Sequence, residues 1–144
     1  MSYEEQAAMY QLLANEYALP VIYVASGNLS STQVFAEKVS PTPVVTKSSL
    51  LSDEDIVLLK SLSWDQQAQV DYLVLLRASG YLGMSDSNFS WAVAVARRAA
   101  GKRGTCGSRY DGEITLEKGI AFRDELSIII GKPSKYQFST RSWP

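Results

Sequence analysis

At 144 residues the chain is long enough to bury a sizeable core as one domain without disulfide or metal staples. A hydrophobic fraction of 46%, a charged fraction of 20% and a net charge of −1 describe an ordinary globular protein, with no electrostatic footprint for nucleic acid or an anionic membrane. Histidine is absent and cysteine occurs once, at Cys106, which excludes a Ser-His-Asp triad, zinc chemistry and an internal disulfide.

The opening residues MSYEEQ are acidic and polar rather than signal-like, and no apolar run reaches the length of a membrane span. The expectation is a chain compatible with the cytoplasm. Ser2 with Glu5 forms a capping-box pattern ahead of Ala7, Met9, Leu12, Leu13 and Tyr17, which predicts an amphipathic helix over 3–17. Pro20 ends it. Val21 to Ala25 is short, continuous and rich in β-formers, as suits a central parallel strand, and Gly27-Asn28 makes the turn after it. A second capping box, Ser30 with Gln33, predicts a short helix that stops before Pro41-Thr42-Pro43.

Val44 to Lys47 reads as the next strand, with Ser48-Ser49 as linker. Ser52 then places Asp53, Glu54 and Asp55 in a first helical turn, where the dipole favours acids. Ser63 with Gln66 caps the following helix, which runs to about Ala78 and carries Asp71; its second half is apolar nearly all round and is expected to be deeply buried. Tyr81 to Met84 is a strand, Ser85 to Asn88 a polar turn, and Phe89 to Ala100 a helix with Gly101 at its C-terminal cap. Lys102 to Asp111 reads as a basic loop, and 113–118 suits either a strand or a helix start. Phe122, Leu126, Ile129 and Ile130 have helical spacing, ended by Gly131 and Pro133, and the tail from Ser134 has no periodicity.

Strands alternating with helices predict an α/β fold, a three-layer Rossmann-like domain over 1–144 with a mostly parallel sheet. In such a sheet the turns after Ala25, Lys47 and Met84 share the edge where ligands bind. The turn over 85–90 joins a strand to a helix start, leaving main-chain N–H groups beside the positive end of a helix dipole, a pattern suited to phosphate.

Asp71, then Gly83 twelve residues on, then Ser87-Asn88-Phe89-Ser90 resembles the nucleotide-binding segment of the GDP-fucose protein O-fucosyltransferases. In that family an acidic residue near the end of a helix precedes a strand ending in Gly and an S-[ST]-F-[ST] turn. Asn88 departs from the usual Ser or Thr. The segments Val21 to Gly27 and Val44 to Lys47 are similar to strands of the same C-terminal half-domain, so the resemblance covers roughly 20–107.

The resemblance implies the nucleotide-sugar-binding half of a GT-B glycosyltransferase, with GDP or GDP-fucose as ligand and no metal. Asp71 would hold the guanine edge, and Ser85, Ser87, Asn88, Phe89 and Ser90 would receive the diphosphate. The whole enzyme would transfer fucose with inversion. The other half supplies a Gly-rich, Asn-containing loop and an arginine, both absent here, so this chain would carry no catalytic residue and would not turn over alone. Its partners would be a nucleotide sugar and a second domain or a second copy of itself.

Plainer readings stand beside each residue. Ser87 serves equally as a helix N-cap, worth about 1 kcal/mol. Asp71 would equally form a salt bridge, although Arg77, six residues on, lies on another helix face. The sequons at Asn28 and Asn88 read as chance matches, Arg97, Arg98, Lys102 and Arg103 as helix-end charge, and Cys106 as idle. A second function of a different class is a stand-alone, non-catalytic protein-interaction module of the same fold, with a homodimer replacing the missing half. A flavodoxin-like or response-regulator-like domain is disfavoured because no acidic cluster follows the first strand.

Overall fold

The computed structural model describes residues 3–16, 18–100, 120–123 and 127–131. Ser2, Tyr17, Gly101, the 102–111 loop with Cys106, segment 113–118, Leu126, Pro133 and the tail lie outside the described residues. The chain is mixed α/β with short parallel strands. It divides into two compact units, Ser2–Ala78 and Ser79–Pro144.

The first unit opens with α1 (Tyr3–Glu16), followed by β1 (Ile22–Tyr23), α2 (Leu29–Lys38) and β2 (Val44–Val45). The two strands pair in parallel, Ile22 opposite Val44 and Tyr23 opposite Val45, with Ile22 N–H donating to the Pro43 carbonyl and Val24 N–H to the Val45 carbonyl. Their crossover is α2, and its cap is Asn28 rather than Ser30: the Asn28 carboxamide oxygen accepts from Ser31 N–H at 3.0 Å and from the Ser30 hydroxyl at 2.9 Å. Asn ranks with Ser as a cap, and here it directly follows the turn glycine. Ala7, Ala14, Ile22, Phe35 and Val39 form the core, and Tyr10 meets Phe35 edge-on with ring centroids 5.1 Å apart.

Three further helices complete this unit: α3 (Lys47–Leu50), α4 (Asp53–Ser61) and α5 (Trp64–Arg77). The predicted strand therefore stops at Val45, and the predicted linker at Ser48-Ser49 is helical. Thr46 and Ser49 cap each other reciprocally, satisfying backbone donors that a linker would have left to water. Ser52 caps α4, and Ser63 with Gln66 forms the expected box on α5. The expected deep burial of the second half of α5 is narrower than the composition implied: Asp71 and Leu75 are buried and Leu73 is exposed.

The second unit holds β3 (Tyr81–Met84), α6 (Asn88–Ala99), β4 (Ile120–Arg123) and β5 (Ser127–Ile130) in one sheet of order β3-β5-β4. β3 runs parallel to β5, whereas β4 and β5 are antiparallel. The helix expected through Phe122 to Ile130 is thus replaced by a pair of strands. Four apolar positions cannot separate the two periods, and Ser-Ile-Ile-Ile, buried at every residue and β-branched at its three isoleucines, is the signature of a central strand. Gly131 does terminate the element, but a strand; it has φ +117°, a conformation that side chains disfavour. Among the described residues the strands pair as two ladders, β1-β2 and β3-β5-β4, one in each unit.

Gly83 in β3 is required by its neighbours. A Cβ there would stand 2.5 Å from the Tyr81 hydroxyl and 2.7 Å from the Ser90 Cβ, and Ser90 is pinned by the bond its hydroxyl accepts from Met84 N–H. Gly83→Ala is expected to lower unfolding stability by about 1–3 kcal/mol, as overpacking does; urea denaturation with an unchanged midpoint would show that the neighbours yield.

Candidate functional site

Asp71 lies on α5 with 6% of its surface exposed. A carboxylate so placed is costly unless its oxygens are filled by donors. Tyr23, the last residue of β1, donates its hydroxyl to Oδ1 at 2.7 Å. Lys47, two residues beyond β2 and the first of α3, places its Nζ 2.5 Å from Oδ2. Side chains from the carboxyl ends of both parallel strands therefore converge on one carboxylate of a third element. Arg77 takes no part: its guanidinium donates to the Leu73 carbonyl of its own helix.

Neither Tyr23 nor Lys47 was singled out as a partner from sequence. The available signal was positional, since both sit at the ends of two strands predicted to be parallel and so at the same edge. Burial pushes the Tyr23 hydroxyl far above its ordinary value near 10; the hydrogen bond to Asp71 and the negative charge of Asp71 raise it further, while a backbone hydrogen bond from Lys47 pulls the other way.

The remaining expected site residues lie in the second unit. Ser85 is buried, and its N–H donates to the Ile130 carbonyl at 2.8 Å while its carbonyl accepts from the Trp91 indole at 2.9 Å. Ser87 N–H donates to the Met84 carbonyl, and the Ser87 hydroxyl oxygen accepts from Ser90 N–H at 3.2 Å, so Ser87 is the N-cap of α6. The buried Ser90 hydroxyl oxygen accepts from Met84 N–H at 3.0 Å, and the Ser90 carbonyl accepts from the Tyr81 hydroxyl at 3.2 Å. Phe89 is half-buried and Asn88 exposed.

The turn thus spends the Ser87 and Ser90 hydroxyl oxygens on its own fold. Its amides are largely spent as well: Ser85, Ser87 and Ser90 N–H donate to the Ile130 carbonyl, the Met84 carbonyl and the Ser87 hydroxyl, which leaves the α6 start at Asn88 as the part of the turn that suits an anion. Asp86, exposed in the same turn, opposes a second negative charge.

Arg97, at a position that suits helix-end charge, is instead fully buried. Its Nε donates to the Ser127 hydroxyl at 3.2 Å, an Nη donates to the Ser79 carbonyl at 3.4 Å, and the guanidinium lies 5.9 Å from the centroid of the Tyr81 ring. Burial raises the Tyr81 hydroxyl, with the Ser90 hydrogen bond and the Arg97 charge acting against it. A sequence window cannot see that α6 turns Arg97 toward β5.

Compared with protein-family models, with curated proteins and with solved structures, the chain matches none.

Because the Tyr23 hydroxyl holds its proton to higher pH folded than unfolded, the stability this contributes is complete below about pH 10 and declines as the pH rises past it. Urea midpoints measured between about pH 9 and 12 should fall. Tyr23→Phe should flatten that fall in part, with Tyr81 supplying the rest; an alkaline slope identical to the parent protein would contradict the assignment.

Proposed function

We propose that the chain is the nucleotide-sugar-binding half of a fucosyltransferase-like GT-B glycosyltransferase, a three-layer Rossmann-like domain whose ligand is GDP or GDP-fucose. The Asp71 carboxylate carries the reading. It is a buried acceptor reached by side chains from the carboxyl ends of two parallel strands, the end at which α/β proteins take ligands. A carboxylate is the natural complement of adjacent N–H donors, the pattern on the edge of guanine.

The strand-turn-helix over 81–99 supports the same reading. It places the start of α6 directly after β3, with Gly83 enforced by close packing and the Ser87 cap shaping the turn. In this reading Asp71 recognises a base, and the helix start after Ser87, taken by itself, has the form that suits a phosphate. Ser85, Ser87 and Ser90 then hold the turn in shape rather than touch the ligand. Acceptor activation belongs to the other half in the enzymes that this chain resembles, so binding without transfer is expected of it.

A second reading, a non-catalytic interaction module, is favoured by one observation. Leu50, Val57, Leu58 and Trp64 of the first unit are all well exposed, Trp64 at 80%, and large apolar side chains left in water are what an interaction surface is made from.

Millimolar GDP should raise the melting temperature of the chain, by an amount that grows with the logarithm of ligand concentration. Asp71→Asn, referred to its own ligand-free melting temperature, should lose most of that rise. No shift with GDP, together with a concentration-dependent dimer in light scattering, would put the second reading first.

A further inference from the structure

Two observations bear on how the Asp71 carboxylate is reached. Its side chain is 8% exposed, and that of Lys47, its ion-pair partner, is 11% exposed. Oδ1 already accepts from the Tyr23 hydroxyl and Oδ2 faces the Lys47 ammonium. A carboxylate oxygen has two lone-pair directions, so a neutral donor such as Tyr23 on one oxygen leaves room for a further bond. The ammonium is a different matter. It is charged and it makes the shorter contact.

The mounting of Lys47 differs from that of Tyr23. Tyr23 is a strand residue paired in register with Val45. Lys47 opens the single-turn α3, whose backbone is held independently by the Thr46–Ser49 box: Thr46 N–H donates to the Ser49 hydroxyl at 2.8 Å, and Ser49 N–H to the Thr46 hydroxyl at 3.3 Å. The Lys47 side chain can therefore leave Asp71 by rotating its flexible stem, with no hydrogen bond of α3 broken.

We propose that Lys47 is a latch on Asp71: its ammonium occupies the acceptor that a base with adjacent N–H donors requires, and that base binds by displacing it. The proposal rests on the reading of Asp71 as a base acceptor and adds how that acceptor is controlled. Guanine has two adjacent N–H donors on its hydrogen-bonding edge, so it can replace the ammonium on Oδ2 while sharing Oδ1 with Tyr23. Adenine presents a single N–H donor group beside acceptors and has no equivalent fork. The latch thus sets both affinity and base choice. It predicts opposite effects for two substitutions at one position, because Arg grips a carboxylate in a bidentate fork that Lys cannot form.

The test is calorimetric binding of guanosine, a nucleoside chosen so that no phosphate charge is attracted to Lys47, with adenosine as control. Lys47→Met should bind guanosine about tenfold tighter than the parent chain, and Lys47→Arg about tenfold weaker. Adenosine should gain nothing from either. Lys47→Arg retains the ion pair, so its result stands even where Lys47→Met is poorly folded. Guanosine binding that depends on Asp71 but is unchanged or weakened in Lys47→Met and unchanged in Lys47→Arg would overturn the latch while leaving the base acceptor in place. Failure of guanosine and GDP to bind any of the three chains would remove the base acceptor and the latch with it.

Discussion

Withdrawing the Asp71 carboxylate from water is the constraint around which the first unit is arranged. Left alone, a buried charge of this kind costs several kcal/mol. It is offset by one phenol and one ammonium, and each arrives only because a strand ends where it does. Tyr23 closes β1, Lys47 follows β2, and the parallel register that sets Tyr23 opposite Val45 brings both to one edge. A one-residue slip would turn the side chain of Tyr23 to the opposite face. The polar cluster thus depends on the pairing and also penalises any other pairing, a specificity that the apolar core of Ala7, Ile22, Phe35 and Val39 could not supply alone.

The second unit solves a similar problem differently. Its buried charge, Arg97, is met by a hydroxyl, a carbonyl and an aromatic face from β5, Ser79 and β3. Its turn over 85–90 is built from hydroxyls that look like ligand donors in the sequence and act as struts in the fold. This is a general ambiguity of Ser-rich turns, because the hydroxyl that would bind phosphate is also the one best suited to capping the helix that follows. Whatever anion recognition the turn has is left to peptide N–H groups, which substitution of its serines would affect only through shape.

The features legible in the sequence were those decided within a few residues. The Ser52, Ser63 and Ser87 caps and the extent of Tyr81–Met84 follow from side chains bonding to backbone three positions away, or from a local run of β-formers bounded by turn residues. Where local signals compete, tertiary contacts choose between them. Asn28 outranked Ser30 because it stood nearer the turn, and Thr46 with Ser49 made a helix of an apparent linker. The Ile run at 128–130 satisfied helix and strand spacing alike until a neighbouring strand was available to pair with it.

By itself, then, the sequence determined where α4 and α5 begin, that Asp71 is a carboxylate on an otherwise apolar stretch, and that Gly83 leads into a capped turn. Only the tertiary structure decided that β5 pairs with β3 and β4, that Arg97 goes inside, and that Asp71 is filled by Tyr23 and Lys47. The physical reason is separation along the chain. A cap is settled by a bond spanning three residues, but the partners of Asp71 lie 24 and 48 residues away, and Arg97 bonds to groups 18 and 30 away. Such bonds form only after strand register and helix orientation have brought the groups together, and no local pattern records that choice.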